Sequence, residues 1–561
     1  MDFDRKKLAG RIREVMYEYV ALQTDTGTEA EQEMVKFFSK WFSKNNYLKT
    51  HQDLRGVYAI PDDSMSRSIC WALIKGESPE TIILLHHSDT VDTDDYLALK
   101  PLAAKPDELE TAFRQGKMQL DDEALEDLNS GEWIFGRGVN DMKGGAAVHI
   151  ALFEEYSGKS GLKGNILLLA VPDEENLSAG MIGAAALLNE LKRKHNLNYI
   201  LCLCAEPSGT RVVIDGSVGK IMPMIYARGK LAHASGVFDG LNPIRMMADI
   251  VDKLDLNPVF ADSEKGTTSS APTFLYLKDR KNIYDVSLPG AACAYMTLNC
   301  MNKDPLDLMC TVKELCTEAF RETLRKIKNS YDAYEKIEGH EPSDLPWQPK
   351  VLFYSELYDE AVRDSGDSFI QALNTAKRRL QKELHEKKKS LVQCSQEIIE
   401  ITLPFIKDLS PLVVVALAPP FYPNVNNRLF GGRDSAAELT AKRINKTIDA
   451  LSAFSKQNFG YNVETCYMTG MSDLSYAMHT TSDKTVSYIE QNMLMWGCGY
   501  HIPFEEIKSI SMPVLNIGPE GKDGHMYSER VNKQSLFYDT PVFLDFVVQN
   551  VFNGITDKEC K

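Results

Sequence analysis

Three acidic residues in a row, Asp173, Glu174 and Glu175, follow directly after the apolar segment NILLLAVP. Adjacent carboxylates repel one another, and the end of a buried strand is an unfavourable place to leave them unpaired. Either these side chains face water or a strong positive charge lies beside them. The sequence therefore raises the question of which cation neutralises these three carboxylates.

Five side chains at predicted strand ends or helix starts could bind hard or borderline metal cations. They are His87 in LLHHSDTVD, Asp141 in GRGVNDMKGG, Glu175 in DEE, Glu206 in CAEPSG and His525 in GPEGKDGHMYSE. One such side chain alone is usually satisfied or solvated, but five at the junctions of one sheet are harder to explain in that way. Two histidines and three carboxylates suit two adjacent Zn²⁺ ions, with one carboxylate bridging them.

The elements around these residues alternate between apolar strands and helical patterns. Strands are predicted in SICWALIKG, TIILLHHSD, NILLLAVPD and YILCLCAEP, and helices in DMKGGAAVHIALFEEY and SAGMIGAAALLNELKRKH, the latter with Ser178 as its cap. This alternation predicts an α/β catalytic domain, a sheet with helices on both faces. In such sheets the ligand-binding groups gather beyond the carboxyl ends of the strands.

A smaller α+β domain is predicted to interrupt the first one. Its segments KIMPMIYARGK, NPIRMMADIVDKL, TFLYLKD, ACAYMTLNC, a helix over 305–328 and KVLFYSEL form a β-α-β-β-α-β pattern. The charged segment 366–400 predicts one long helix, and strands resume at LVVVALA to complete the first domain. The predicted division is 1–218 and 358–561 for the catalytic domain and 219–357 for the insert. The acidic segment 101–135 is predicted to be a surface excursion.

Composition narrows the class of partner. The formal net charge is −16 and the isoelectric point is near 5.3. Such an acidic protein is not expected to bind nucleic acid or anionic membranes, because like charges repel. The N-terminal segment lacks a signal-peptide core, and no apolar stretch is long enough to span a bilayer. Eleven scattered cysteines fit a reduced, cytoplasmic setting. A small-molecule substrate is therefore expected.

The ordered motifs resemble a known family. H-x-D at His87, G-R-G-x-x-D-x-K-G-G from Gly136, D-E-E, E-P-S at Glu206 and the late His525 resemble the co-catalytic zinc metallopeptidases. That family includes acetylornithine deacetylase, succinyl-diaminopimelate desuccinylase, aminoacylase and glutamate carboxypeptidase. Order and spacing match over nearly the whole chain, and MSDLSYA and GKDGHMYSERV are most similar to the arginine-utilisation (RocB-type) branch.

The resemblance implies two bound zinc ions, with cobalt or manganese as alternatives. Asp141 would bridge the two metals. One site would be completed by His87 and Glu206, and the other by Glu175 and His525. The mixed-sheet catalytic domain would carry this centre, and the insert would be a lid and dimerisation domain.

The resemblance also implies which residues handle protons. Glu174 would be the general base that deprotonates the attacking water and then protonates the leaving amine. Asp89 would bond the far ring nitrogen of His87 and fix its tautomer. Asp473 could equally line the active site or form a turn, and His86 would pack on the opposite side of the strand from His87.

In the inserted domain, ARGKLAHASGVFDGLNP resembles the lid motif of the family. His233 would reach across a homodimer interface and stabilise the oxyanion in the neighbouring site. Asn242 would contact substrate, although Asn is also simply a good helix cap. Many relatives carry a carboxylate-binding Arg where this chain has Cys300. Either Arg228, Arg280 or another residue replaces it, or the substrate is held differently.

The sequence thus predicts a cytoplasmic metallohydrolase that cleaves an amide bond in an N-acyl amino acid or a small peptide, with a link to arginine utilisation. A dipeptidase or aminopeptidase of the same family is the nearest alternative. A catalytically silent binding protein on the same fold is the alternative from another class, and the intact set of ligands with its base argues against it.

Overall fold

The computed structural model describes residues 4–209, 211–264, 266–281, 283–341 and 343–554. The chain forms two compact units. The first contains the residues up to Ser217, Val425–Thr480 and the residues from Pro503 onward, and the second contains Val218–Asn424 and Thr481–Ile502. None of the described helices is long and apolar enough to cross a membrane.

The strands follow one another along the chain as β1 Arg55–Ala59, β2 Ser68–Ile74, β3 Glu80–His87, β4 Trp133–Phe135, β5 Asn165–Val171, β6 Asn198–Cys204, β7 Val212–Ser217, β8 Gly219–Ile221, β9 Pro223–Arg228, β10 Ser263–Glu264, β11 Thr267–Thr268, β12 Thr273–Asp279, β13 Ala291–Cys300, β14 Val351–Phe353, β15 Leu412–Leu417, β16 Val425–Asn426, β17 Glu464–Met468, β18 Val514–Asn516, β19 Gly521–Lys522 and β20 Arg530–Asn532.

The α-helices are α1 Arg5–Val20, α2 Glu33–Lys44, α3 Asn46–Thr50, α4 Pro106–Arg114, α5 Asp122–Ser130, α6 Lys143–Ser157, α7 Ala179–His195, α8 Pro243–Leu254, α9 Pro305–Glu338, α10 Tyr354–Ser365, α11 Asp367–His385, α12 Leu391–Thr402, α13 Asn427–Gly431, α14 Ser435–Phe459, α15 Asp483–Asn492, α16 Phe504–Ile510 and α17 Thr540–Asn553.

The first unit is built on a mixed nine-stranded sheet. Its order is β1-β2-β5-β3-β6-β18-β7-β16, and β17 pairs with β7. Four neighbouring strands, β5, β3, β6 and β18, run parallel. Their residues are almost entirely buried apolar side chains, which is typical of parallel strands covered on both faces. The carboxyl ends of all four therefore meet at one edge of the sheet.

Helix α6 begins unusually close to this edge because of its glycines. A Cβ atom on Gly145 would lie 2.0 Å from the backbone oxygen of Ala205, and one on Gly144 would lie 2.2 Å from that of Val139. Only glycine allows such an approach. The glycines of the Lys-Gly-Gly segment thus have a structural role, because the close approach brings the start of α6 next to the end of β6.

The segment 101–135 is more than a polar surface excursion. Helices α4 and α5 and strand β4 bury an apolar cluster of their own, formed by Tyr96, Leu99, Ala103, Leu109, Ala112, Phe113, Ala124, Leu128, Trp133 and Phe135. Strand β4 pairs with β20 in a small antiparallel sheet. The expectation failed because the acidic residues lie on the outer faces of short amphipathic helices, whose apolar faces pack together.

The second unit contains the predicted β-α-β-β-α-β elements, and β8 and β15 join their sheet. Its sheet has the order β12-β13-β9-β15-β14, with β8 pairing with β13. The segment LVVVALA forms β15, which the sequence assigned to the first domain. This strand pairs antiparallel with β9 and parallel with β14, so the second unit extends to Asn424 rather than ending at the predicted residue 357.

The predicted single helix over 366–400 is instead two helices, α11 and α12. The chain leaves α11 at Glu386, and Lys387 has a left-handed backbone with φ 54°. Ser390 then begins α12 with a capping box, in which its side chain accepts from the backbone of Gln393 and its own backbone bonds the Gln393 side chain. The cap therefore starts a new helix at a point where the apolar periodicity predicted that one helix would continue.

Candidate active site

The predicted metal ligands all lie in the first unit, and four of them follow the four parallel strands. His87 is the last residue of β3, Glu175 follows β5, Glu206 follows β6, and His525 lies in the segment after β18. Asp141 comes just before α6. The parallel arrangement therefore brings residues that are far apart in sequence to one edge of the sheet.

Asp141 lies between the two histidines. Its Oδ1 is 3.0 Å from Nε2 of His87, and its Oδ2 is 3.2 Å from Nε2 of His525. Each carboxylate oxygen thus faces a different imidazole, which is the arrangement that a bridging ligand requires. His525 also lies 2.9 Å from Oε2 of Glu175.

At this edge of the sheet, two groups of ligand atoms among the described residues are compact enough to hold a metal ion. One contains Asp141, Glu175 and His525, and the other contains His87, Glu174 and Glu175, with the atoms of each group within 4.8 Å of one another. Ligands about 2.1 Å from a tetrahedral zinc ion would be about 3.4 Å apart, close to the separations around Asp141. Imidazole and carboxylate are donors suited to zinc, so this donor set fits the metal that the sequence predicted.

Glu206 stands slightly apart from these two groups. Its Oε1 accepts a hydrogen bond of 2.9 Å from Oγ of Ser472, and its backbone oxygen accepts one of 3.0 Å from Nδ2 of Asn516. Burial raises the pKa of Glu206 to about 7, and the nearby Asp141 and Glu175 carboxylates act in the same direction, whereas His87 lowers it. Glu206 is therefore held beside the centre by Asn516 of β18 and by Ser472.

The charges of the centre shift its titrations strongly. The hydrogen bonds that His525 donates to the carboxylates of Asp141 and Glu175 raise the pKa of His525 to about 10. Burial opposes protonation of His87, but its contacts with Asp141 and Asp89 still raise its pKa well above the ordinary range. Burial, together with Glu206, Asp473 and Glu175, raises the pKa of Glu174, although His87 lowers it. These are the titrations of a site crowded with negative charge.

Asp89 does more than the predicted orientation of His87. Nδ1 of His87 is 3.1 Å from the backbone oxygen of Asp89 and 3.6 Å from its carboxylate. The two carboxylate oxygens instead accept hydrogen bonds from the backbone of Glu174, at 3.2 Å, and of Glu175, at 3.1 Å. The segment that directly follows β3 thus also holds the acidic turn.

Asp173 turns away from the metal ligands and organises the turn that carries its two neighbours. Its backbone oxygen accepts from the amide of Ser178 at 2.7 Å, and its Oδ2 accepts from the amide of Ala179 at 3.0 Å. Asp173 therefore takes the side-chain capping role at the start of α7. Ser178, the predicted cap, makes no such side-chain bond.

Arg137 and Glu529 connect the two segments that carry Asp141 and His525. Glu529 is fully buried, accepts from Nη1 of Arg137 at 2.8 Å, and accepts from the backbone of Asn140 and Asp141 at 3.2 Å each. Arg137 also donates to the backbone oxygen of His525 at 3.3 Å. Glu529 lies four residues after His525 in a segment that is not helical, and it bonds Arg137 rather than the imidazole of His525.

Two further residues near the centre now have definite surroundings. Asp473 is buried at the start of a short 3₁₀ helix, and burial, with Asp89 and Glu206 nearby, raises its pKa well above the ordinary range, although His87 lowers it. His86 is buried, as predicted for packing, and stacks on Phe38 at 6.0 Å between ring centroids.

The predicted residues of the second unit have structural contacts of their own. Asn242 caps α8, accepting from the backbone of Ile244 at 2.9 Å. His233 is exposed, with Nδ1 2.7 Å from Oγ of Ser235. Neither arginine considered as a carboxylate clamp is free: Arg228 donates to two backbone oxygens, and Arg280 pairs with Glu400. Cys300 is buried in β13.

Sequence and structure comparisons give a consistent result. A family model described as Peptidase family M20/M25/M40 matches residues 121–547. The chain is 29% identical to YqjN of Bacillus subtilis (strain 168) over 539 residues, 94% of each protein. It is 29% identical to RocB of the same strain over 568 residues, 99% of this chain and 98% of RocB. A tripeptidase from Staphylococcus aureus has a similar fold, with a TM-score of 0.50, 14% identity, and coverage of 97% of this chain and 98% of that chain.

Proposed function

The chain belongs to Peptidase family M20/M25/M40, and from this premise we propose that it is a two-metal hydrolase of the amide bond in an N-acyl amino acid or a small peptide. Family membership makes it a metal-dependent hydrolase. The observation that carries the finer proposal is Asp141, whose two oxygens face His87 and His525 separately. A carboxylate so placed can bridge two ions, which Glu206 and Glu175 would complete on either side.

Glu174 is the proposed proton carrier. When bound, the ions, which we propose to be zinc, would polarise the amide carbonyl and acidify the attacking water. The Glu174 carboxylate would take a proton from that water and deliver it to the leaving amine. Burial and the neighbouring carboxylates raise the pKa of Glu174, which favours a group that can hold this proton between the two steps.

Asp89 and Asp141 would hold other groups in position rather than transfer protons. By accepting the amides of Glu174 and Glu175, Asp89 keeps the base and one ligand in a fixed relation to His87. Such second contacts hold ligands in place and exclude alternative orientations. The base would therefore meet the water in the same position in each turnover.

The second unit is proposed to act as a lid and as the interface of a homodimer. Strand β12 is at the edge of its sheet and exposes Leu275 and Leu277, and an open apolar edge favours pairing with another strand. His233, exposed on the same unit, would then serve the neighbouring active site, and Asn242 would contact substrate. We expect Leu275→Lys to convert a dimer to monomers in light scattering. An unchanged mass would place the interface elsewhere.

The substrate is proposed to be a small molecule handled in the cytoplasm, with a link to arginine utilisation that rests on the resemblance to RocB. Because Arg228 and Arg280 are engaged elsewhere, neither is proposed to grip a substrate carboxylate. The carboxylate-clamp chemistry of many relatives is thus not carried over to this chain.

Hydrolysis screening tests the proposal. The protein would be freed of metal, reloaded with zinc, cobalt or manganese, and given N-acyl amino acids and dipeptides, with arginine derivatives in both sets. We expect metal-dependent cleavage in one set, and the preferred set decides between a deacylase and a dipeptidase. Zinc binding without hydrolysis of any compound would favour a binding protein instead.

A further inference from the structure

Arg67 lies outside the motifs that carry the candidate ligands, yet it is buried behind the acidic turn. Its Nη1 donates to Oδ1 of Asp173 and, at 3.2 Å, to Oε1 of Glu31. Its Nη2 donates to Oδ1 of Asp63 at 2.7 Å, and Nε contacts both oxygens of Asp63. One buried guanidinium therefore serves three carboxylates, all of them nearly inaccessible to solvent.

The contact with Asp173 reaches the catalytic turn directly. Asp173 has a left-handed backbone, with φ 69°, a conformation that a non-glycine residue holds only when its surroundings stabilise it. Its backbone oxygen and its carboxylate bond the amides of Ser178 and Ala179. Fixing Asp173 thus fixes both ends of the turn that contains Glu174 and Glu175.

We propose that Arg67 is a positioning residue for Glu174, acting through Asp173. The turn is held from two sides, by Asp89 at the amides of Glu174 and Glu175 and by Arg67 at Asp173. Asp173 thereby has an arginine side chain as its positive partner, whereas Glu175 contacts His525. This inference rests on the proposed function, because it is the reaction that gives the orientation of Glu174 its importance.

Two isosteric variants separate positioning from general stabilisation. Asp173→Asn and Asp63→Asn each remove one negative charge from beside the same guanidinium, but only Asp173 belongs to the turn. Arg67→Lys is the third variant, because it keeps the charge and loses the forked geometry. Thermal unfolding of each zinc-loaded variant would establish that it is folded.

Hydrogen–deuterium exchange measures how well the backbone amides of the turn are protected, and it needs no substrate. It would be followed on peptides covering 172–180 of the zinc-loaded proteins. We expect exchange of these amides to accelerate about tenfold or more in Asp173→Asn and Arg67→Lys and to stay unchanged in Asp63→Asn. With a hydrolysed amide as substrate, kcat should fall by about 10²-fold in Asp173→Asn while KM stays within about threefold.

Three results would overturn the proposal: unchanged exchange in Arg67→Lys or in Asp173→Asn, equal effects of Asp63→Asn and Asp173→Asn, or faster exchange with an unaltered kcat. Failure of the wild-type protein to hydrolyse any amide counts against the proposed function instead. Because the exchange measurement needs no substrate, it still decides whether Arg67 fixes the turn.

Discussion

Replacing Glu529 with glutamine should weaken metal binding without touching a ligand. The carboxylate of Glu529 bonds Arg137 at 2.8 Å and the amides of Asn140 and Asp141 at 3.2 Å each. Glutamine keeps one acceptor oxygen, but its amide group and lost charge cannot reproduce all three bonds. The segment carrying Asp141 would then no longer be tied to the one carrying His525.

The size of the effect follows from the contacts that are lost. Changes to groups behind metal ligands typically cost 10–100-fold in affinity, which corresponds to about 1.4–2.7 kcal/mol. Glutamine should lie at the lower end of this range. Arg137→Met should lie at the upper end, because it also removes the donors to the backbone oxygens of His525 and Met526.

Zinc affinity would be measured by competition with a chromophoric chelator, starting from metal-free protein at fixed pH. Asp545→Asn is the matched control, since Asp545 is also a buried acid, accepting from Oη of Tyr156 at 2.9 Å. At saturating zinc, kcat of Glu529→Gln should return to near the wild-type value. A zinc affinity of Glu529→Gln equal to that of wild type, in a variant shown to be folded, would refute the reasoning.

Three further outcomes are expected. Glu174→Gln should bind zinc like wild type but lose about 10²–10⁴-fold in kcat; near-normal turnover would remove Glu174 as the base. Because its carboxylate partners raise the pKa of His525 to about 10, its contribution to stability in the metal-free protein is present below about pH 6.5 and is lost as pH rises through 10. Zinc must displace that proton, so titration calorimetry in two buffers should show net proton release at pH 7.5, and none would contradict the assignment. Gly145→Ala should destabilise the fold by about 1–3 kcal/mol in chemical denaturation because of the 2.0 Å contact with Ala205, and unchanged stability would show that the helix start can shift freely.

The grouping of the candidate ligands could be predicted because several of them follow strand ends. His87, Glu175 and Glu206 each follow an apolar run, and parallel strands that carry such residues bring them to one edge. The structure places Asp141 and His525 beside them. The sequence could not show that Glu206 stands apart from the two compact groups, since that depends on its bond to Ser472.

Residues that support the ligands were harder to find. Arg67 is 106 positions from Asp173 and lies in no motif, so only the folded chain reveals their contact. The break after α11 did leave a signal, because Ser390 and Gln393 have the spacing of a capping box. The charge of segment 101–135 predicts a surface excursion, whereas its periodic apolar residues indicate the short amphipathic helices that the structure contains.

Asp141 is proposed to bridge two metal ions in one chain. Native mass spectrometry of metal-free protein titrated with zinc counts the bound ions. We expect a mass increase of two ions for wild type, one retained ion for His525→Ala, and weakened binding of both for Asp141→Asn. A folded wild-type protein that binds fewer than two ions under zinc excess, or an Asp141→Asn variant that binds both normally, would contradict the proposal.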